Sequence, residues 1–281
     1  MTIAEQQKIY RDALSAIYDE REARTITQLV LEEVLELNPL KISMDRYRLL
    51  TTDQQDRLAQ ILKRLLTYEP VNYILGEADF FGLKFKVDGN VLIPRPETEE
   101  LVELVLQENK DRQALRIIDL GTGSGCIPIS LAYNLPTAIV EGIDVSEGAL
   151  GVAQRNNELN KTQVQFSRFD ILKEELPTST YDIIVSNPPY ITPAEGPEML
   201  PIVMKFEPHL ALFSYDEDGL IFYRRIAQLA LKALKPSGRL YFEINAANGE
   251  AVVTLLKQAG FEQIELKKDL SGRDRIVRAT L

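Results

Sequence analysis

The sequence is poor in the two side chains that most often bind metals or form redox centres. Its 281 residues include one cysteine, Cys126, and one histidine, His209. A single cysteine cannot form an internal disulfide, and a single histidine argues against a His/Cys metal site and against a triad centred on histidine. We therefore expect no metal, and chemistry that depends on other side chains.

Long apolar runs are also lacking. No stretch of the sequence approaches the ~20 consecutive apolar residues that a helix needs to cross a bilayer. The polar N-terminus has the features of neither a signal peptide nor an Arg-rich transit peptide. We expect a cytoplasmic protein with no membrane partner.

Positive charge is scarce. Lysine and arginine total 32 against 42 aspartates and glutamates, which gives a formal net charge of −10. An acidic surface disfavours binding to a phosphate backbone, although a local basic patch is compatible with it. We expect no stable nucleic-acid partner.

The first part of the chain lacks glycine, since the first one is Gly76. Thr52 to Gln55 is typical of a capping box, and apolar side chains recur at helical spacing, as at Ile9, Ala13, Ala16 and Ile17. A chain that is 45% hydrophobic and 26% charged is long enough for a small and a large domain. We predict a helical, substrate-docking domain over residues 1–70, a β-hairpin linker over 71–93 and an α/β domain over 94–281.

The linker region contains a hairpin pattern. Residues 83–87 alternate between apolar and lysine side chains, Asp88-Gly89 follows, and residues 91–93 form a second apolar run. This order predicts two paired strands that turn at Asp88-Gly89. Downstream, Pro96 suits the first position of a helix and the acids after it suit the helix dipole. That explanation leaves Arg95, which stands between two prolines, without a role.

A β-α-β pattern begins at residue 116. A short strand leads through Asp119 into the turn Gly121-Thr122-Gly123-Ser124-Gly125, a helix follows, and a second strand ends at Asp144. Glycines at a strand end let the backbone approach a ligand beside a helix N-terminus, and an acid roughly 20 residues further on can accept both ribose hydroxyls. The pattern predicts a site for a nucleoside-containing cofactor.

The glycine spacing distinguishes between cofactors. The chain has Gly-x-Gly-x-Gly rather than the Gly-x-Gly-x-x-Gly of dinucleotide sites. S-adenosylmethionine has no pyrophosphate to cradle and fits this spacing better than NAD. Asp119 is suited to face the cationic methionine end of that cofactor, with a structural hydrogen-bonding role as the alternative.

The four residues Asn187-Pro188-Pro189-Tyr190 follow a buried strand over residues 181–186. The prolines end the strand at Asn187, and neither can donate a backbone hydrogen bond. Asn187 Oδ1 and the Pro188 carbonyl can each accept one N–H while the Tyr190 ring lies against the plane. This set suits a flat group that carries an NH2, so we predict Asn187, Pro188 and Tyr190 as catalytic residues.

Two features complete the pattern. Residues 191–208 are rich in proline and glutamate and include Pro197 and Glu207, so we expect them to line a substrate channel. The last two strand candidates, residues 261–270 and 275–281, are joined by so short a connection that they must be antiparallel.

Several segments together resemble a known family. Asn-Pro-Pro-Tyr at a strand end is similar to the signature of S-adenosylmethionine-dependent methyltransferases that act on planar amino nitrogens, whether of adenine, guanine or glutamine. The wider set resembles the bacterial peptide chain release factor N5-glutamine methyltransferases, and it comprises Gly76, Phe80-Phe81-Gly82, residues 91–99, 119–125 and 186–190, Phe206-Glu207-Pro208 and residues 269–275. Related ribosomal-protein enzymes tend to carry Val-Pro-Arg-Ser-Pro where this chain has Ile93-Pro94-Arg95-Pro96-Glu97.

The resemblance implies an α/β fold: a seven-stranded, Rossmann-like class I methyltransferase domain joined by a β-hairpin to a small all-α N-terminal bundle. It implies that Asp170 and Ile171 contact the adenine of the cofactor, although some relatives have an aromatic residue in place of Ile171. Asn187 is also expected beside the cofactor. The implied substrate contacts are Arg95, Asn187, Pro188, Pro189, Tyr190 and Glu207.

The resemblance also implies an activity. The expected reaction moves a methyl group from S-adenosylmethionine to the side-chain amide nitrogen of the glutamine in the Gly-Gly-Gln loop of release factors, with the enzyme as a monomer. A ribosomal-protein glutamine methyltransferase and a nucleic-acid adenine N6-methyltransferase are the alternatives. The acidic composition disfavours the adenine enzyme.

Overall fold

The computed structural model describes residues 1–196 and 201–281, without the side chains of 201 and 202. The chain divides into two compact units, Met1–Gly76 and Glu77–Leu281. The first unit thus extends beyond residue 70, where the sequence placed the end of the helical domain. Within the described residues, every helix is too short or too polar to cross a membrane.

The first unit is built only from helices. Asp19 and Asn38 cap the second and third helices by accepting backbone N–H groups, and Thr51 forms a capping box with Gln54 at the fourth. The predicted box at Thr52 was therefore one residue late, because two adjacent threonines offered the same signal. The helices are α1 (Ile3–Leu14), α2 (Glu20–Leu35), α3 (Pro39–Met44), α4 (Thr52–Leu65) and α5 (Val71–Leu75).

The inward face of α1 differs from the predicted one. Ile9 is 42% exposed, whereas Ile3, Tyr10 and Leu14 are buried. The Tyr10 hydroxyl donates to the Leu58 carbonyl of α4 at 2.5 Å. Burial of a large ring with a satisfied hydroxyl places this stripe, and not the one through Ile9, against the core.

A β-hairpin opens the second unit. Its strands are β1 (Glu77–Phe80) and β2 (Leu83–Lys86), joined by Phe81 and Gly82. These two residues have φ values of 49° and 74°, which match the type I′ turn whose twist suits two paired strands. The predicted pairing of residues 83–87 with 91–93 was wrong, because β2 pairs with the strand before it.

A seven-stranded sheet forms the centre of the second unit. Its spatial order is β5-β4-β3-β6-β7-β9-β8. The first five strands of that order pair in parallel, and β9 is antiparallel to both neighbours. The seven-stranded sheet with one reversed strand is thus confirmed, and its strands are β3 (Arg116–Leu120), β4 (Ile139–Asp144), β5 (Gln165–Arg168), β6 (Tyr181–Ser186), β7 (Leu234–Glu243), β8 (Glu262–Lys268) and β9 (Asp274–Thr280).

Helices cover both faces of the sheet. The long ones are α6 (Pro96–Asn109), α7 (Cys126–Asn134), α8 (Glu147–Leu159), α11 (Ile221–Ala233) and α12 (Gly249–Ala259). Buried side chains of α6 and α7 pack with Val185 and Tyr241 on one face, and those of α11 and α12 pack with Ile184 and Phe242 on the other. Alternate residues of β6 and β7 therefore face opposite layers, as expected for pleated strands.

The expected channel segment, residues 191–208, contains the short helix α9 (Pro201–Phe206), and α10 (His209–Leu212) follows directly after it. Residues 197–200, with the Pro197 of that prediction, lie outside the described part of the chain. After α10 the chain pairs with the residue that follows Tyr190, since Ile191 N–H donates to the Leu212 carbonyl at 3.0 Å and Ser214 N–H donates to the Ile191 carbonyl at 2.9 Å.

The start of α6 is tied to two other elements. It begins at Pro96, as the sequence predicted. Glu99 Oε1 accepts a hydrogen bond from Phe81 N–H in the hairpin turn at 2.7 Å, and the Glu100 carboxylate accepts one from Leu270 N–H in the turn between β8 and β9 at 3.2 Å. These acids therefore anchor the helix start as well as suiting its dipole.

Two single substitutions, compared with each other, test the packing of β4. A Cβ added at Gly142 would lie 2.6 Å from the Phe166 ring and 2.9 Å from Thr122 Oγ1. We expect Gly142→Ala to lower the free energy of unfolding by about 1–3 kcal/mol through overpacking. The control, Gly151→Ala in the interior of α8, meets its nearest atom at 3.8 Å and should gain about 0.5–1 kcal/mol. Urea denaturation measures both, and equal stabilities would contradict the packing.

Candidate active site

The carboxyl ends of four parallel strands meet at one edge of the sheet. β4, β3, β6 and β7 are neighbours in that order, and the segments after β3, β4 and β6 contain most of the predicted site residues. Ligands of open α/β sheets bind at this edge. The topology alone therefore brings together the glycine turn (residues 121–125), Asp144, which is predicted to bind the ribose, and residues 187–190, hereafter the acceptor loop.

The glycine turn after β3 lies against the end of β4. Gly121 N–H and Thr122 N–H both donate to the Ile143 carbonyl at 2.9 Å. Gly121, Gly123 and Gly125 have φ values of 79°, 53° and 79°, a region that glycine adopts without the strain of a side chain. The turn therefore exposes backbone at the strand edge where a ligand can approach closely.

Asp144 connects the end of β4 to this turn. Its Oδ2 accepts a hydrogen bond from Gly123 N–H, and its Oδ1 accepts one from Ser146 N–H, both at 2.9 Å. Burial raises the pKa of the Asp144 carboxyl, whereas these backbone donors lower it. Each carboxylate oxygen has a further lone pair, so the side chain can still accept hydroxyl groups of a ligand.

Asp119, at the end of β3, is fully buried, and neither of its carboxylate oxygens has a hydrogen-bond partner. The nearby Thr122 hydroxyl is also buried and without a partner. Burial, opposed by the nearby Thr122 hydroxyl and reinforced by the charge of Asp144, raises the pKa of Asp119 to about 7. Unpartnered buried polar atoms are rare in folded proteins and call for a specific explanation.

These residues fit the expected cofactor. S-adenosylmethionine has a positive charge at each of two atoms of its methionine part and two hydroxyls on its ribose. A buried carboxylate without a donor suits the cationic part, and a carboxylate beside an exposed backbone turn suits the hydroxyls. Ser124 contributes through its carbonyl, which accepts a hydrogen bond from Asn156 Nδ2 at 2.9 Å and fixes the turn onto α8.

Asp170 and Ile171 follow β5, on the far side of β4. The Asp170 carboxylate is 2.8 Å from Lys173 Nζ and accepts a hydrogen bond from Leu172 N–H at 3.0 Å. The hydrogen bond to Lys173 lowers the pKa of Asp170. Ile171 is buried in the same core cluster as the α11 and α12 layer. Their contact with an adenine ring stays a prediction.

Asn187, directly after β6, is held by an interaction that the sequence did not reveal. Its Nδ2 donates to Thr98 Oγ1 of α6 at 3.3 Å, and the Thr98 hydroxyl donates to Glu243 Oε2 at the end of β7 at 2.6 Å. The amide nitrogen of Asn187 is thus directed at the protein. Its Oδ1 is left for another donor.

The rest of the acceptor loop is also fixed. Tyr190 packs partly buried against the core, and burial raises the pKa of its phenol to about 12, so the ring is neutral near pH 7. A Cβ at Gly219 would lie 2.7 Å from the Tyr190 carbonyl, and Gly219 has a φ of 70°. Glycine is thus required there for the chain to pass beneath the loop that contains Pro188 and Pro189.

Arg95 and Glu207, both predicted as substrate contacts, bind each other. Arg95 Nη2 is 2.5 Å from Glu207 Oε1, and the Glu207 side chain is only 2% exposed. Glu207 Oε2 is buried and has no partner. Burial raises the pKa of Glu207 and the adjacent Arg95 lowers it. Their role toward a substrate stays a prediction.

Sequence reasoning missed Thr98, Glu243 and Gly219. Glu243 had a detectable signal, because a lone acid at the end of an apolar strand needs a partner. Thr98 and Gly219 had none, since their partners are distant in sequence. Among the described residues, His, Cys, Asp and Glu side chains form no cluster of three or more that could hold a metal ion.

Two family models match the chain. Residues 98–203 match the methyltransferase small domain, and residues 7–76 match the PrmC N-terminal domain. The first match contains the glycine turn, Asp144 and the acceptor loop, and the second lies in the helical unit.

Individual proteins match over more of the chain. The release factor glutamine methyltransferase of Bacteroides thetaiotaomicron is 46% identical over 96% of both chains, and that of Flavobacterium psychrophilum is 44% identical over 99% of both. Among solved structures, a methyltransferase from Pyrococcus furiosus superimposes with a TM-score of 0.53 at 15% identity, covering 82% of this chain and 98% of its own. That structural likeness concerns the fold alone.

Substitution of Asp144 tests the ribose assignment. Asp144→Ala removes two hydroxyl acceptors and the anchor of Gly123 N–H. Charge-assisted hydrogen bonds are worth about 1.5–3 kcal/mol, so affinity for S-adenosylmethionine should fall by roughly 10-fold to 100-fold. Titration calorimetry measures it, with Glu147→Ala as the exposed acidic control. An unchanged affinity in a folded Asp144→Ala protein would remove Asp144 from the site.

Asp119 should make stability depend on pH. Its folded pKa of about 7 lies above the ordinary value of 3.8. Its contribution to stability is therefore complete below about pH 4 and is lost as pH rises through about 7. We expect Asp119→Asn to reduce the loss of unfolding free energy between about pH 5 and about pH 8. Urea denaturation at both pH values measures this, and an unchanged pH dependence would refute it.

Proposed function

The chain belongs to the release factor glutamine methyltransferase family, and on that premise we propose that it methylates the side-chain amide nitrogen (N5) of the glutamine in the Gly-Gly-Gln loop of peptide chain release factors. The methyl donor is S-adenosylmethionine. The observation that carries the proposal is that Asn187 follows β6, the partner of the strand that leads into the glycine turn, and has its NH2 turned toward Thr98. This leaves Oδ1 as an acceptor for a planar NH2.

The cofactor contacts are assigned across the sheet edge. Asp119 faces the cationic methionine part, Asp144 accepts the ribose hydroxyls, and Asp170 and Ile171 are assigned to the adenine. The backbone of residues 121–125 would lie along the cofactor. When bound, the cofactor would supply a methyl group activated by the sulfonium charge; its transfer to the amide nitrogen would leave a neutral thioether, and the nitrogen would lose a proton to water.

The chain's own contribution is orientation. An amide nitrogen is a weak nucleophile, because its lone pair is delocalised into the carbonyl. Asn187 Oδ1 and the Pro188 carbonyl accept the two N–H groups and stabilise positive charge that develops on the nitrogen. The neutral Tyr190 ring lies against the amide plane, and Pro189 keeps the loop stiff.

The substrate side is assigned to the neighbouring loops and to the N-terminal domain. The Arg95–Glu207 pair is at the start of α6, because Arg95 is the N-cap of that helix and Thr98, three residues later, accepts a hydrogen bond from Asn187. We assign residues 1–70 to docking of the release factor, 71–93 to the linker and 94–281 to the methyltransferase domain. The enzyme acts as a monomer in the cytoplasm, without a stable nucleic-acid partner.

The decisive experiment compares acceptors. Wild-type enzyme with methyl-labelled cofactor is offered an intact release factor, a short Gly-Gly-Gln peptide, ribosomal protein, and RNA or DNA. We expect one added methyl on the Gly-Gly-Gln glutamine of the intact factor, located by mass spectrometry, with far slower methylation of the peptide because docking uses the folded protein.

Asn187→Ala is the matched inactive control. It should leave cofactor binding largely intact and lose about 100-fold or more of turnover, because misorientation of the acceptor is costly. Label in a ribosomal-protein glutamine or in a nucleobase, with the release factor unmodified, would replace the proposed substrate by that alternative.

A further inference from the structure

Three side chains form a hydrogen-bonded series that ends at the acceptor loop. The Thr98 hydroxyl donates to Glu243 Oε2 at 2.6 Å, and Asn187 Nδ2 donates to Thr98 Oγ1 at 3.3 Å. Thr98 and Glu243 are 3% and 2% exposed. The Thr98–Glu243 contact is therefore shielded from water, whereas Asn187, at the other end of the series, is partly buried.

Strand register and the position of α6 bring Asn187, Glu243 and Thr98 together. Ser186 pairs with Phe242 in the parallel ladder of β6 and β7, so Asn187 and Glu243 are the next residues on neighbouring strands. Their side chains project to the same face as Val185 and Tyr241, which is the face that α6 covers. Thr98 lies in the first turn of α6 and reaches both.

We propose that Glu243 and Thr98 are positioning residues that fix the orientation of the Asn187 amide, so that Asn187 Oδ1, and not its NH2, faces the substrate. This inference rests on the proposed role of Asn187 in binding the acceptor amide. Neither residue contacts the reacting atoms, and both act through Asn187.

The direction of the series follows from proton counting. A carboxylate can only accept hydrogen bonds, so the single hydroxyl proton of Thr98 points to Glu243. Thr98 Oγ1 can then only accept a hydrogen bond from Asn187, so Asn187 must donate through its NH2. If the Asn187 amide were turned by half a rotation, its NH2 would face the NH2 of the substrate, donor against donor, and the acceptor would not bind productively.

The series requires Glu243 in its charged form. Burial, together with the charge of Glu97, raises the pKa of Glu243 to about 7 against the lowering effects of Thr98, Arg275 and Asn187. Burial also raises the pKa of the other titratable groups that face Glu243, to about 12 for Tyr190 and Cys126 and well above the ordinary value for Tyr223. These three therefore stay neutral while Glu243 titrates.

Three variants test the series. Thr98→Val keeps the shape and removes the hydroxyl, Thr98→Ser keeps the hydroxyl, and Glu243→Gln keeps the shape and removes the charge. We expect Thr98→Val to lower kcat for the release factor by about 100-fold with little change in cofactor affinity. Thr98→Ser should restore kcat to within several-fold of wild type, which a purely space-filling role would not predict.

The pH profile tests the charge. At saturating cofactor, which removes the effect of Asp119 on binding, wild-type kcat should rise as pH increases through about 7. Glu243→Gln should lose this rise, because a carboxamide does not titrate and can present a donor as well as an acceptor to Thr98. A Glu243→Gln enzyme with the wild-type profile would overturn the proposal, as would a folded Thr98→Val enzyme with wild-type kcat.

A measurement without substrate separates this inference from the proposed function. The side-chain NH2 signals of Asn187 can be assigned in a ¹⁵N–¹H spectrum by their loss in Asn187→Ala. One amide proton should be protected from exchange in the wild type and unprotected in Thr98→Val, whatever the true acceptor is. Equal exchange in both proteins would reject the series, whereas failure of the wild type to methylate a release factor would reject only the proposed substrate.

Discussion

Parallel pairing of the four central strands is the constraint on which the site depends. β4, β3, β6 and β7 run side by side in one direction, so each ends at the same edge and delivers its last residue there. The glycine turn, Asp144, Asn187 and Glu243 come from distant parts of the chain. They meet because strand register fixes their positions. The loops that follow the strands contribute functional groups to a site that the sheet has already positioned.

Burying carboxylates at this end of the sheet has an energetic cost. Asp119 and Glu243 are almost completely buried, and burial raises the pKa of each to about 7. Isolated buried carboxylates oppose folding near neutral pH. In the proposed complex the cationic cofactor lies beside Asp119, so ligand binding would relieve part of this opposition, and the protein should be more stable with its cofactor than without it.

Features that neighbouring residues encode could be predicted from the sequence, whereas contacts between distant residues could not. The glycine turn, Asp144 and Asn187-Pro188-Pro189-Tyr190 could be found because each is punctuated by glycine or proline at a strand end, and the reversed strand followed from a short connection. The hairpin was misplaced because Phe81 occupies a left-handed position that normally signals glycine or asparagine. Asp88-Gly89 offered the stronger signal but pairs no strands.

The Thr98–Glu243 contact could not be read from the sequence at all, since it joins residues 145 positions apart. The same holds for the Arg95–Glu207 pair, 112 positions apart. Such contacts depend on which strands become neighbours, and a strand order of β5-β4-β3-β6-β7-β9-β8 is a property of the whole domain. Sequence patterns identified the elements, and tertiary packing selected their partners.

The two anchors at the start of α6 have a consequence for the entropy of the catalytic cycle. Glu99 and Glu100 tie this helix end to the hairpin turn and to the turn between β8 and β9, so the backbone around Thr98 is immobilised when the domain folds. Configurational freedom lost during folding does not have to be lost again when a substrate arrives. The orientation of Asn187 would therefore be fixed once, when the domain folds. It would not have to be established again each time an acceptor amide binds.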